Sequence, residues 1–227
     1  MKDINKINEV KEWDNYWKQL YKQHVLIGKF FSWYRRRIIS KEIAYFFDKY
    51  FKKNGTYVDC GSGSSETSIK IKKYKRTIIA LDISPLALLH AKKIKIIDKF
   101  IRADIKKLPF KNNSIDGIWN VGVMEHFKHK EINQILNEFY RVLKEDSMCI
   151  LFWPGFFGPT NLIFRPLEFF IKKIKKDSKN IAPKEPSIIK SKNLLKKQIL
   201  NETNFKNVKI FLSPRSLFVH YVVICKK

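Results

Sequence analysis

The chain has 227 residues, with 46 Lys and Arg against 21 Asp and Glu and a formal net charge of +25. This length is enough for one α/β domain with appended elements and is short for two full domains. The sequence contains no run of about twenty uncharged apolar residues, so it predicts no membrane-spanning helix. The charged first residues lack the apolar core of a signal peptide, and we therefore expect a cytoplasmic protein, soluble or peripheral to a membrane.

The excess of positive charge has two explanations. It favours a polyanionic partner, either nucleic acid or an anionic membrane surface. Lysine also far outnumbers arginine, isoleucine and asparagine are abundant, and glycine is scarce. That pattern is typical of a surface set by genomic base composition. Both explanations stay open, because net charge governs solubility and nonspecific binding rather than a specific site.

The three cysteines, Cys60, Cys149 and Cys225, lie far apart, each inside an apolar run. Their spacing fits no metal site, and an odd number argues against a disulfide framework. The sequence therefore predicts reduced thiols in the core and no metal.

Residues 1–50 have helical patterns with many aromatic side chains, and we expect them to form an N-terminal helical cap on a domain that spans residues 51–227. Five short apolar runs then predict strands that are covered on both faces. They are residues 56–60, 77–82, 99–104, 114–121 and 148–154. One helical pattern between them begins with Ser84 as N-cap and Pro85, and another covers residues 130–143. This alternation predicts crossover units and a mainly parallel sheet.

The C-terminal third departs from this alternation. Residues 155–190 form a basic, apolar and proline-punctuated insert that we expect to act as a lid. A helical pattern follows at residues 191–203. Two further strand-like runs are joined around Ser213 and Pro214, which predicts an antiparallel hairpin at the end of the sheet.

The segment VDCGSGSS, which begins at Val58, has the composition of a ligand-binding turn after the first predicted strand. Gly61 permits a tight turn, Gly63 lets the backbone approach a ligand, and Asp59 places a carboxylate at the strand end, where open parallel sheets bind ligands. A dinucleotide fingerprint would need a third glycine three residues after the second. The residue there is Glu66, whose charge would oppose a pyrophosphate. The sequence therefore favours a ligand without phosphate.

Two more acidic residues end the next predicted strands, Asp82 after the second and Asp104 after the third. A carboxylate about twenty residues beyond a glycine turn can accept hydrogen bonds from both hydroxyls of a ribose. Asp104 can accept one from an exocyclic amine of a base. Either acid alone is more often a helix cap or a surface residue. Together with Asp59 they predict a nucleoside lying across three strand ends.

These segments together resemble the class I S-adenosylmethionine-dependent methyltransferase family. The resemblance rests on VDCGSGSS, LDISPLALLHAKK, RADIKKLPFKNNSIDGIWNVGVMEHF and EFYRVLKEDSMCILFWP, which follow in the usual order and spacing and cover residues 55–154. It implies S-adenosyl-L-methionine as cofactor. It also implies an α/β fold of Rossmann-like type, with a seven-stranded, mainly parallel sheet, an antiparallel C-terminal hairpin and helices on both faces.

The resemblance further implies roles for individual residues. The residues implied at the cofactor are Asp59, Gly61, Gly63, Asp82, Ile83, Asp104, Ile105, Asn120 and Val121. By the family pattern Asp59, Gly61 and Gly63 hold the methionine end, and Asp82 holds the ribose. Ile83, Asp104 and Ile105 surround the adenine. Asn120 and Val121 would offer backbone groups to the methionyl amine and line the exit of the methyl group. The family often has a third glycine where this chain has Ser65, so we expect weaker or slightly shifted cofactor binding.

Methyl transfer from a sulfonium is an in-line displacement, in which positioning of the acceptor supplies much of the rate enhancement. A base is needed only where the acceptor loses a proton. His126, just after the fourth predicted strand, is the candidate catalytic residue, because a neutral imidazole accepts a proton near pH 7. A structural hydrogen bond is the competing interpretation. The other histidines lie outside the segments that resemblance assigns to the site, and the weaker candidates are His24, His90, His129 and His220.

The residues after the fourth predicted strand read NVGV, without the Asn/Asp-Pro-Pro-aromatic loop of many methyltransferases that act on exocyclic or amide nitrogens. Amine methylation of adenine or glutamine is therefore not expected. The pattern resembles the subgroup that methylates small molecules, including quinone precursors, sugars and lipids, at oxygen or carbon. Two alternatives stay open. One is an RNA or protein methyltransferase that docks through its basic surface, and the other is a noncatalytic binding module that keeps the fold.

Acceptor choice is expected to depend on the two added segments. N-terminal aromatic residues could close over the cofactor and sequester an apolar acceptor, although packing of an added helix explains them equally well. They are Trp13, Tyr16, Trp17, Tyr21, Phe30, Phe31, Trp33 and Tyr34. In the insert, residues 167–176 combine apolar residues at helical spacing with lysines, which predicts an amphipathic helix over the acceptor pocket with a secondary contact to an anionic membrane. The oligomeric state is not predicted.

Overall fold

The computed structural model describes residues 2–20, 25–155 and 185–227. The amphipathic helix predicted at residues 167–176 lies outside these ranges, as do Tyr21 and His24.

In the described part of the chain, seven strands form one sheet. They are β1 (Asn54–Cys60), β2 (Lys75–Asp82), β3 (Lys99–Arg102), β4 (Ile115–Val121), β5 (Leu143–Pro154), β6 (Asn207–Leu212) and β7 (His220–Lys226). Their order across the sheet is β3-β2-β1-β4-β5-β7-β6. The first five strands are parallel, and β7 runs antiparallel to both β5 and β6. The predicted sheet, with its antiparallel C-terminal hairpin, is confirmed.

Helices cover both faces of this sheet. Within the described ranges they are α1 (Lys2–Lys18), α2 (Val25–Tyr34), a π-helical segment (Arg35–Ile39), α3 (Ser40–Tyr50), α4 (Pro85–Ala91), α5 (His129–Val142) and α6 (Lys192–Glu202). Buried residues of α3 and α4 form one core with one side of the strands, and buried residues of α5 and α6 form a second core with the other side. Ser84 caps α4 as predicted, since its side chain accepts a hydrogen bond from the backbone N–H of Ala87.

The polar stretch after the glycine turn forms a single 3₁₀ turn, Glu66–Ser68, and no α-helix. One local prediction was wrong. The third strand ends at Arg102 rather than at Asp104, which lies in the following turn and accepts a hydrogen bond from the backbone N–H of Lys106 at 2.9 Å. Aspartate side chains commonly bond to the backbone two residues on and so end a strand early.

The sheet order reverses at β1, which lies between β2 and β4, and this topology leaves a crevice beyond the carboxyl ends of those strands. Helix α1 is held across that edge. Its Asp14 accepts a hydrogen bond from the Ser84 hydroxyl, and its Glu9 pairs with Lys106 at 3.2 Å. The N-terminal segment therefore closes one side of the crevice.

All three cysteines are buried and none is disulfide-bonded. Among the described helices, none combines the length and the apolar character needed to cross a bilayer.

Candidate functional site

The crevice contains a cavity of about 310 Å³. Eight of the nine residues predicted at the cofactor line it, namely Asp59, Gly61, Gly63, Asp82, Ile83, Asp104, Ile105 and Val121. Asn120 does not line the cavity. Its side chain is fully buried behind the wall, and neither polar atom of its amide has a hydrogen-bond partner among the described residues.

The glycine turn is held against the end of β2. The backbone N–H groups of Gly61 and Ser62 both donate to the carbonyl of Leu81, at 2.8 and 3.0 Å, and the N–H of Gly63 donates to Asp82 Oδ2 at 2.8 Å. Gly61 and Gly63 have φ values of +75° and +52°, which favour glycine. A Cβ on Gly63 would lie 2.6 Å from the Trp17 ring. The absence of a side chain at Gly63 therefore makes room for α1 as well as for a ligand.

Ser65 stands in the same turn with a φ of +52°, the left-handed region that costs a residue with a side chain about 1–2 kcal/mol. Its buried hydroxyl has no hydrogen-bond partner among the described residues. The position where the family often has a glycine is thus one where the backbone favours glycine.

We expect Ser65→Gly to raise the free energy of unfolding by about 0.5–1 kcal/mol, because relief of the left-handed strain exceeds the entropy that glycine adds to the unfolded chain. The matched control is Ser64→Gly in the same turn, where φ is not positive, and it should lower the free energy of unfolding by a similar amount. Urea denaturation measures both variants. Equal destabilisation by the two would contradict this account of Ser65.

Asp59 and Asp82 are buried carboxyls with few compensating charges. Burial raises the pKa of Asp59 to about 7, although its Oδ2 accepts a hydrogen bond from the Ser68 hydroxyl at 3.0 Å. Burial likewise raises the pKa of Asp82 to about 6, against the lowering effect of the N–H groups of Ser84 and Gly63. Both acids would gain from a bound ligand that donates hydrogen bonds or carries positive charge.

The sequence argument that Glu66 opposes a pyrophosphate needs correction. Its carboxylate lies 2.8 Å from Arg35 Nη2 and 3.7 Å from Arg36 Nη1, and it also accepts a hydrogen bond from the Ser32 hydroxyl. The negative charge is therefore compensated. What disfavours a phosphate is the missing α-helix, because a single 3₁₀ turn offers no aligned helix N-terminus to bind one.

The segment after β4 places two titratable side chains, Glu125 and His126, in the wall of the cavity. His126 packs edge-on against Trp13, with ring centroids 5.0 Å apart, and its Nε2 lies 3.9 Å from Glu125 Oε1. Glu125 is 3% exposed, and its Oε2 has no hydrogen-bond partner among the described residues. Burial raises the pKa of Glu125 to about 8, so its carboxyl is mostly protonated at neutral pH.

Sequence reasoning missed Glu125. A glutamate in the loop after a strand is usually exposed, so its type and position gave no reason to single it out. Its signal was its place beside His126 in the segment that carries the family resemblance.

Sequence reasoning also missed a second pair, which is formed by Glu42 and His220. His220 lines the cavity, and its Nδ1 is 2.9 Å from Glu42 Oε2. Glu42 is 0% exposed and His220 is 5% exposed. Sequence reasoning set His220 aside because it lies outside the segments that the resemblance assigns to the site, and the pairing of β7 with β5 brings it to this edge.

Aromatic side chains of the N-terminal segment form the rest of the wall. Five of the predicted aromatics line the cavity, namely Trp13, Tyr16, Trp17, Phe31 and Tyr34. Phe30 and Trp33 instead point outward and are 43% and 52% exposed. The lining of the cavity thus combines acidic and polar residues with aromatic ones.

These residues fit the cofactor that the resemblance implies. S-adenosyl-L-methionine carries a sulfonium, an ammonium, a ribose and an adenine, and no phosphate. The buried acids at the ends of β1 and β2 lack full compensation, and the hydroxyls of Ser62 and Ser65 have no partner among the described residues. Groups that carry positive charge or donate hydrogen bonds would supply the interactions that these acids and hydroxyls lack.

Comparison with known proteins agrees with the fold. Residues 58–151 match the family model described as a methyltransferase domain. An S-adenosylmethionine-dependent methyltransferase structure from Archaeoglobus fulgidus superposes with a TM-score of 0.62 at 17% identity, covering 83% of this chain and 93% of that one. A second, from Aquifex aeolicus, gives a TM-score of 0.57 at 14% identity and covers 86% and 92% of the two chains.

Three curated proteins share sequence with this chain. An uncharacterised protein of Methanocaldococcus jannaschii is 35% identical over 50% of this chain and 48% of its own length. A malonyl-[acyl-carrier protein] O-methyltransferase of Buchnera aphidicola is 30% identical over 43% and 38%. A ubiquinone/menaquinone biosynthesis C-methyltransferase of Rickettsia prowazekii is 36% identical over 40% and 41%. The matches thus span less than half of each relative's length.

The seven-stranded sheet is the fold of these methyltransferase structures, and residues 58–151, less than half of the chain, match the methyltransferase domain model.

Proposed function

We propose that this chain binds S-adenosyl-L-methionine in the cavity and transfers its methyl group to an oxygen or carbon of a small-molecule acceptor. The observation that carries the proposal is the meeting of Asp59, Asp82 and Asp104, from the ends of β1 and β2 and the turn after β3, with the glycine turn in one cavity. That cavity, lined by all three acids, argues against a noncatalytic module.

The proposed cofactor contacts follow the order of the strands. Asp59, Gly61 and Gly63 bind the methionine end, and Asp82 binds the ribose hydroxyls. Ile83, Asp104 and Ile105 surround the adenine. Val121 and the backbone of Asn120 lie toward the methionyl amine and the methyl group. When bound, the cofactor supplies an electrophilic methyl carbon, and the protein orients an acceptor in line with it and excludes water.

The aromatic residues of the cavity lining are proposed to bind the acceptor. Its Trp, Tyr and Phe side chains suit an apolar or partly aromatic acceptor, such as a quinone precursor or a lipid-like molecule. Two relatives are named for methylation at oxygen and at carbon, which supports this class of reaction. Two histidines of the described residues line the cavity, and His126, the base expected from the sequence, is one proposed base for an acceptor that must lose a proton.

The N-terminal segment, residues 1–50, is proposed as a cap that closes the acceptor site through Trp13 and Trp17.

We also propose a cytoplasmic location with peripheral contact to anionic membranes. The outward-facing Phe30 and Trp33 lie close in sequence to Arg36, which is itself 48% exposed. Exposed aromatics beside arginine suit the interface of an anionic bilayer.

We expect calorimetry to detect binding of S-adenosylhomocysteine and S-adenosylmethionine and no useful binding of NADH. The acids meet the ribose and the amine of the first two ligands, whereas the 3₁₀ turn after the glycines offers no helix N-terminus to a pyrophosphate. Tight binding of NADH without binding of S-adenosylhomocysteine would overturn the proposed function.

A further inference from the structure

Glu42 and His220 form a carboxylate–imidazole pair in the wall of the cavity. Glu42 belongs to α3, which packs on the sheet, and His220 begins β7 opposite Pro154, the last residue of β5. This register brings the imidazole to the carboxyl edge of the sheet, where the acceptor must approach. The ring also packs near Phe152, with centroids 6.2 Å apart, which restricts its orientation.

The hydrogen bond bears on the tautomer of the ring. An ionised carboxylate can only accept, and beside such a partner Nδ1 carries the proton and Nε2 is the ring atom that can accept one. A buried carboxylate also stabilises the imidazolium that forms when Nε2 takes up a proton. This arrangement, a base held and supported by a carboxylate, is typical of general-base catalysis.

Tyr34 is another titratable group close to this pair. It belongs to the end of α2, lines the same cavity as His220 and interacts electrostatically with Glu42. Burial raises the pKa of Tyr34 to about 12, with a further contribution from Glu42, and its hydroxyl donates to the carbonyl of Ser216 at 3.3 Å. Tyr34 therefore stays a neutral phenol. Glu125, His126 and Glu185 line the same cavity.

We propose that His220, positioned by Glu42, is the general base that accepts the proton of a weakly acidic hydroxyl acceptor, a phenol or an enol, during methyl transfer. This inference rests on the proposed function and names its acceptor class. The acceptor oxygen forms a bond to the methyl carbon as the carbon–sulfur bond breaks, and the electron pair of that bond goes to sulfur. The hydroxyl proton passes to His220 Nε2 and then to solvent.

The first experiment uses two phenols of different acidity as probes, with radiolabelled S-adenosylmethionine. 4-Methylphenol is un-ionised at neutral pH and needs a base, whereas 4-nitrophenol is largely ionised at pH 8 and does not. His220→Ala should lower kcat for 4-methylphenol about a hundredfold or more and leave the rate with 4-nitrophenol within a few fold of wild type. A purely structural role for His220 would lower both rates alike.

Glu42 is tested as a positioning residue through the same two phenols. Glu42→Gln removes the carboxylate that orients the ring, so kcat for 4-methylphenol should fall, while KM for both phenols and kcat for 4-nitrophenol should stay within a few fold of wild type. The matched control is His129→Ala, which disrupts a histidine–glutamate pair of the same 2.9 Å length on the surface, outside the cavity. That variant should match the wild type with both phenols.

A second readout needs no acceptor. Nitrogen-15 spectra of histidine-labelled protein should identify His220 as the Nδ1–H tautomer with Nε2 unprotonated at pH 8, and Glu42→Gln should change that signal. An Nε2–H tautomer, equal losses with both phenols, or binding of S-adenosylhomocysteine without transfer to either phenol would each overturn the inference. Failure to bind S-adenosylhomocysteine would instead refute the proposed function, and the spectra would still test the pair.

Discussion

Replacing Asp82 with alanine is expected to weaken S-adenosylhomocysteine binding about a hundredfold, since hydrogen bonds to a charged group contribute about 1.5–3 kcal/mol each and two ribose hydroxyls would lose their acceptor. In the cofactor-free protein Asp82 already accepts from the N–H groups of Gly63 and Ser84. A carboxylate has about four lone-pair directions, so it can hold the glycine turn and a ribose together. The substitution therefore loosens the turn as well.

Asp116→Ala is the control for Asp82→Ala. Asp116 also accepts a hydrogen bond from a backbone N–H, that of Thr56 at 2.8 Å, but it lies at the amino end of β4, away from the cavity. Its loss should lower stability and leave S-adenosylhomocysteine affinity unchanged. Calorimetry measures both variants. If Asp82→Ala binds as tightly as wild type, Asp82 does not face the ribose.

Asp59→Asn is expected to stabilise the cofactor-free protein at alkaline pH and to weaken cofactor binding. The folded-state pKa of Asp59, about 7, is above the ordinary value of 3.8, so the native state binds the proton more tightly than the unfolded chain. The carboxyl therefore costs no stability below the ordinary value, costs progressively more as pH rises toward 7, and costs its full amount above that. Asparagine cannot ionise and keeps an acceptor for the Ser68 hydroxyl.

We expect the free energy of unfolding of Asp59→Asn at pH 8 to exceed that of wild type by about 2–4 kcal/mol, since each unit of pKa shift corresponds to about 1.4 kcal/mol. At pH 4 the difference should nearly vanish, which makes that measurement the internal control. Urea denaturation at the two pH values decides. A gain or loss of the same size at both would mean that Asp59 is not a buried, uncompensated acid.

Features set by local sequence were predictable. The apolar runs that end in Asp59 and Asp82 fixed two neighbouring strands and the edge at which their acids meet, because a parallel sheet places all its carboxyl ends together. Ser84 and Pro85 gave the start of α4 for the same local reason. The end of β3 was predicted too late in the chain, because the side chain of Asp104 competes with the strand for backbone hydrogen bonds.

Features set by distant contacts were not predictable. Glu42 and His220 are 178 positions apart, and Ser32 and Glu66 are 34 apart, so neither pairing leaves a local pattern. Trp17 was placed among the aromatics of a cap, but its contact with Gly63 depends on how α1 crosses the sheet edge. The part of the cavity proposed for the acceptor is built mainly from such contacts, whereas the part proposed for the cofactor lies at strand ends, whose positions local sequence predicts more fully.

The most direct test is a crystal structure of the protein with S-adenosylhomocysteine. The account predicts that the ligand lies in the cavity at the carboxyl edge of β1, β2 and β4. Its ribose should contact Asp82, its adenine should lie beside Asp104, and its sulfur should face the aromatic residues of the lining together with His126 and His220. A ligand bound elsewhere, or bound here with its ribose away from Asp82, would contradict the assignment of the site.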